Sequence, residues 1–165
     1  MRLQAICGNI PAMSGKPTPD SIAAWTHLVR AQHAVLSRVE EALKRAGLPP
    51  LEWYDVLVEL DKAENGWLRQ SEVNARVLLA QYNMSRLADR LVREGLVERR
   101  QCPVDGRNNV LVITAKGREL RRSMWPVYAA AIEAHLGCHL QEHETRALSE
   151  LLSKLFAVRR PGAQA

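Results

Sequence analysis

After Gly95 the spacing of apolar residues changes from near four to two, and this switch limits the folds open to the chain more than any other feature. Just before it, Met84, Leu87 and Leu91 fall on one side of a helix while Ser85, Arg86, Asp89, Arg90 and Arg93 fall on the other. Gly95 then supplies a residue that adopts a left-handed stop without strain. Beyond it, residues 96–102 and 110–113 alternate as two strands. The segment joining them contains Asp105-Gly106 and Asn108-Asn109, which is hairpin turn chemistry. A helix followed at once by a twisted hairpin leaves few architectures.

The flanks narrow the choice further. Thr18-Pro19-Asp20 predicts a helix start, with a capping oxygen, a preset φ and an acid at the positive end of the dipole. Ile22, Trp25, Leu28, Val29, Leu36, Val39 and Leu43 then recur at helical steps until Gly47 and Pro49. A second helix is predicted behind Pro49-Pro50, carrying Leu51, Trp53, Tyr54, Leu57 and Leu60, and residues 66–69 read as a strand stub. Val73, Val77 and Leu78 predict a third helix that breaks near Ala80-Gln81. Past the hairpin, Thr114 caps a fifth helix with Leu120, Met124, Val127, Tyr128, Ala131, Ile132 and Leu136, kinked at Pro126. A sixth runs from near Gln141 through Leu148, Leu151, Leu152 and Leu155. The fold class is therefore mainly α with a small β-hairpin wing. It comprises a winged helix-turn-helix lobe, whose second helix enters a DNA major groove, and long terminal helices.

Composition fits this reading. The chain has 165 residues, 47% apolar and 25% charged, within the globular range, which excludes disorder and low complexity. Lys plus Arg exceed Asp plus Glu by 23 to 18, which permits a polyanionic partner. Eighteen of those 23 are Arg, the side chain whose planar fork suits phosphate and guanine. Three widely spaced cysteines, Cys7, Cys102 and Cys138, indicate neither a disulfide framework nor a zinc ribbon. With no signal peptide or membrane-span pattern legible, a cytoplasmic protein is expected.

The stretch Leu87-Ala88-Asp89-Arg90-Leu91-Val92-Arg93-Glu94-Gly95-Leu96-Val97-Glu98-Arg99-Arg100 resembles the recognition-helix end and first wing strand of regulators of the multiple-antibiotic-resistance (MarR) type. Pro103-Val104-Asp105-Gly106-Arg107 is similar to that family's wing signature, Ile113-Thr114-Ala115-Lys116-Gly117 resembles its Leu-Thr-x-x-Gly junction, and residues 140–155 resemble its final helix. The resemblance implies a two-fold homodimer with interleaved terminal helices, paired winged-helix lobes on double-stranded DNA, and a small ligand lodged between lobe and dimer interface. The domain plan that follows has an arm at 1–17, one domain at 18–158 and a tail at 159–165. Within the domain, 51–114 form the DNA lobe, while 18–48 and 115–158 form the dimer helices.

DNA contacts are expected from Gln81, Tyr82, Asn83, Ser85, Arg86 and Arg90, with Arg107 in the minor groove. Gln and Asn pair bidentately with adenine, and Arg with guanine. Here the chain departs from the family, since Ala80 stands where a Ser cap is usual. For a small aromatic or phenolic effector the candidates are Trp25, Trp53, Tyr54, Asp55, Trp125 and Tyr128, aromatic walls with one carboxylate able to reach Arg86. Asp55, Arg86 and Trp25 also resemble positions of the family's urate-responsive branch, although Val29 replaces the Arg expected there. His135, Cys138, His139, Glu142 and His143 offer a competing metal site, and Cys102 beside Arg99 and Arg100 a redox one; solvated histidines and inert thiols are the plainer expectation. No cofactor or catalytic motif is present, so no enzyme is expected. The alternatives are a metal- or redox-responsive regulator and a dimeric adaptor that does not bind DNA.

Overall fold

The computed structural model of the chain describes residues 15–64, 66–77, 84–102 and 109–157, with residues 156 and 157 described by backbone only. It divides into two compact units, Met1–Ala34 and Val35–Ala165. Helix α1, Pro19–Arg45, begins in the first and ends in the second. At its start the amide of Ser21 donates to Thr18 Oγ1 at 3.1 Å, the cap its sequence predicts. Ile22, Trp25 and Val29, at one helical face, are exposed in this first unit.

The second unit continues with α2 (Leu51–Asp61), β1 (Trp67–Arg69), α3 (Gln70–Arg76), α4 (Met84–Arg93), β2 (Val97–Gln101), β3 (Asn109–Ile113), α5 (Ala115–His135), a 3-10 turn at Gly137–His139 and α6 (Glu142–Ala157). The sheet is antiparallel in the order β1-β3-β2, pairing Trp67 with Val112 and Val97 with Ile113. The architecture is thus mainly α with a three-stranded sheet. Among the described residues no helix is long and apolar enough to cross a membrane.

Gly95 has φ of +69°, and the amide of Leu96 bonds the Leu91 carbonyl at 2.9 Å, so the helix closes on a left-handed glycine as predicted. Three element ends differ from the periodicity. Leu96 spends its amide closing α4, so β2 starts at Val97, although the Leu96 carbonyl still accepts from the Thr114 amide. Asn109, expected in the turn, pairs with Gln101 as the first residue of β3. Helix α3 stops at Arg76, because Val77 is extended at ψ 143°, although its side chain still packs on the lobe core. Helix α5 continues through Pro126.

Helix α2 lies between two apolar clusters. Val56, Leu57 and Leu60 face a lobe core with Leu68, Val73, Leu87, Leu91, Val97, Leu111 and Ile113. Leu51 and Tyr54 face a second cluster with Val39, Leu43, Met124 and Ala131. A helix with apolar residues on two sides must bury both. Asp61, at its end, receives ion pairs from Arg118 and Arg121 of α5, the latter at 2.9 Å.

Candidate nucleic-acid interface

Helix α4 buries Met84, Leu87, Ala88 and Leu91, so the 3.6-residue repeat turns Ser85, Arg86, Asp89, Arg90 and Arg93 outward, and all five are exposed. This is the face that the sequence predicts for DNA. Of the other predicted contacts, Gln81, Tyr82, Asn83 and Arg107 lie outside the described residues, as do Asp105 and the wing tip.

Side-chain pairs between elements fix this face, and none of those is apparent from sequence spacing. Gln70 Nε2, at the start of α3, donates to Ser85 Oγ at 2.8 Å. Arg99 of β2 reaches Asp89 of α4 at 2.6 Å, tying the wing base to the helix. Arg90 Nη1 lies 3.9 Å from Glu52 Oε1 at the start of α2, so this predicted DNA contact is drawn back toward the lobe while remaining more than half exposed. Arg100 pairs with Glu98 on its own strand.

Glu52 is buried, and burial pushes its carboxyl above the ordinary range, opposed by Arg90 and reinforced by Glu40. A carboxyl that holds its proton more tightly folded than unfolded adds stability below its unfolded value, and loses it as pH rises through its folded value. Glu52→Gln is therefore expected to flatten the fall in melting temperature as pH is raised from the ordinary glutamate value toward neutrality. Parallel melting curves for wild type and variant across that range would refute the assignment.

The aromatic candidates separate. Tyr54, Trp125 and Tyr128 meet as a ring cluster, with Tyr54 and Trp125 stacked at 6.3 Å and both edge-on to Tyr128 at 5.2 and 6.0 Å. Asp55 is buried on the same helix. Burial first, then the Asp55 charge, raises the Tyr128 phenol. Trp53, one residue before Tyr54, packs on the lobe core instead. Trp25 is exposed in the first unit. The open groove of about 600 Å³ between α1 and α5 is lined by Ala42, Arg45, Val127, Ala130, Ala131 and His135, not by these rings.

Among the described residues no His, Cys, Asp or Glu group is arranged to hold a metal ion, so His135, Cys138, His139, Glu142 and His143 do not converge. The Leu136–Leu140 break separates them, and Cys138 donates to the Ala134 carbonyl. Cys102 is buried at the wing base, which withholds the access a reactive thiol needs.

Comparison with known proteins agrees with this geometry. A family model described as MarR family matches residues 46–108. The HTH-type transcriptional regulator MhqR of Bacillus subtilis is 28% identical over 138 residues, 84% of this chain and 92% of that protein. The crystal structure of Sco5413, a MarR family transcriptional regulator from Streptomyces coelicolor, is 30% identical with a TM-score of 0.72, covering 86% of this chain and 96% of that one. Sco3205, from the same organism and solved in complex with DNA, aligns at a TM-score of 0.77 and 22% identity over 91% of this chain and 94% of its own, a likeness of fold.

Proposed function

Because this chain belongs to the MarR family of transcriptional regulators, we propose that it binds a pseudo-palindromic DNA operator as a homodimer and represses until a small aromatic or phenolic molecule releases it. The observation that carries the reading is α4 itself. It is a helix with one face sunk in the lobe core and the other presenting Ser85, Arg86, Arg90 and Arg93, with the wing base fastened to it through Arg99 and Asp89. Phosphate contacts from such a face position the protein, and base-edge contacts select sequence. Gln81, Tyr82, Asn83 and the wing-tip Arg107 complete the proposed contact set. Two copies, joined by residues 18–48 and 115–158, would place two 51–114 lobes on major-groove segments about one helical turn apart.

Effector response follows from the way α2 and α5 meet. Tyr54 on α2 contacts Trp125 and Tyr128 on α5, and Trp125 is half exposed. A flat ligand that displaces one ring from this cluster would favour lobe spacings that no longer fit successive grooves. The nearby Asp55 carboxylate selects for a donor on that ligand.

The test is selection of bound duplexes from a random pool, followed by anisotropy titration of the enriched sequence against scrambled DNA at two salt concentrations. Enrichment that survives raised salt is expected. Arg86→Ala and Arg107→Ala should each weaken the enriched duplex about tenfold, the size of one lost charged contact, without altering dimerisation. Failure to enrich any sequence would overturn the reading. A panel of phenols and aromatic acids, added to the bound duplex, tests release.

A further inference from the structure

We infer that Gln70 sets the hydrogen-bond polarity of Ser85, turning the Ser85 proton toward DNA acceptors; the inference rests on the proposed DNA-reading function. Gln70 is the first residue of α3 and Ser85 lies in the first turn of α4, fifteen positions apart, yet the Gln70 amide nitrogen stands 2.8 Å from Ser85 Oγ and donates to it. Ser85 is exposed, on the side of α4 opposite the buried Leu87 and Leu91, and Gln70 is half-buried.

A serine hydroxyl carries one proton and two lone pairs, and ordinarily rotates to suit whatever it meets. Once an amide N–H occupies a lone pair, the hydroxyl proton must point away from Gln70, toward the face that α4 presents. Chains of the form N–H to O–H to acceptor also strengthen each bond in turn. Ser85 is then matched to purine N7, guanine O6, thymine O4 or a phosphate oxygen. Its second lone pair can still accept from the amino groups of adenine and cytosine, so Gln70 biases Ser85 toward acceptors without excluding donors. A free serine has no such bias. Gln70 is accordingly a positioning residue, and its effect on DNA passes through Ser85.

The experiment uses the full chain and the duplex it enriches from a random pool. Gln70→Ala and Ser85→Ala should each lose several-fold in affinity, about fivefold if one ordinary hydrogen bond is at stake. The double variant should lose no more than either single, because the two residues act as one unit. Gln70→Glu keeps the shape but can only accept, which forces the Ser85 proton toward the carboxylate. Selection repeated with it should change the preferred base at one position per half-site. Melting curves within a few degrees of wild type, and an unchanged salt slope, separate this from local unfolding. Additive losses in the double variant, or an unchanged base preference with Gln70→Glu, would overturn the inference while leaving the DNA-reading function intact. No enrichment by the wild-type protein would overturn both.

Discussion

Gly117→Val is expected to lower the stability of the lobe by about 4 kcal/mol, the range of severe overpacking, and the melting temperature by roughly 10 °C for a chain of this size. A Cβ at this position would overlap the Leu96 carbonyl oxygen and stand 2.9 Å from Ile113 Cγ1 and 3.2 Å from Leu57 Cδ2. The first obstacle is backbone, which cannot swing aside as a side-chain tip can. The approach is close because the junction is fastened on every side. Thr114 donates its amide to the Leu96 carbonyl at 3.1 Å, caps Gly117 N at 3.0 Å and reaches the Gly95 carbonyl at 2.8 Å. Lys116 Nζ donates to the Glu94 carbonyl at 2.7 Å. Gly137 provides the contrast, since a Cβ there meets only the mobile carboxylate end of Glu133. Gly137→Ala should shift the melting temperature by no more than about 2 °C. Equal melting of Gly117→Val and wild type by circular dichroism would refute the close approach.

The same junction explains how signal and structure are joined. The first turn of α5 is bound to the lobe through Thr114, Lys116 and Gly117, and its second turn through Arg118 and Arg121 on Asp61. The rings of Trp125 and Tyr128 lie farther along α5, around Pro126, whose missing amide removes one hydrogen bond from the helix. In the proposed mechanism the lobe and the start of α5 move as one body, and bending is concentrated near the ring cluster.

Faces of helices were legible in the sequence because burial follows a fixed angular step, so the inward Met84, Leu87 and Leu91 imply the outward Ser85 and Arg86. Caps were legible because they are local: Thr18, Gly95 and Thr114 each act within four residues. Pairs between elements were not. Asp61 and Arg118 are 57 positions apart, and nothing in their spacing selects that partner over any other charge. Gln70 and Ser85 meet only because the lobe core fixes α3 against α4. Trp53 and Tyr54 show the limit most clearly. As neighbours of one chemical type they read as one set, yet a step of about 100° along a helix sends one to the lobe core and the other to the ring cluster.

Leu151→Asp combined with Leu155→Asp should convert the proposed homodimer to monomer, weakening self-association by about 100-fold or more, ~3 kcal/mol. Helix α6 is the reason. From 142 to 155 it buries no residue within its own chain and leaves only Leu152 half-buried, while Leu148, Leu151 and Leu155 line one face, the last two 59% and 61% exposed. A sixteen-residue helix with an uncovered leucine row gains too little from propensity alone to hold its shape in water, and contiguous apolar surface of this kind marks a protein interface. A second copy of the chain is the occupant that the proposed two-lobed DNA reader requires. Ser153→Asp places the same charge on the opposite side of α6 and should leave the dimer intact. Light scattering after gel filtration reads the mass, and anisotropy reads the consequence. A monomer holds one half-site, so affinity for the enriched duplex should fall with dimerisation while the melting of the lobe is retained. A double variant that stays dimeric and binds as wild type would place the interface elsewhere than on this leucine row.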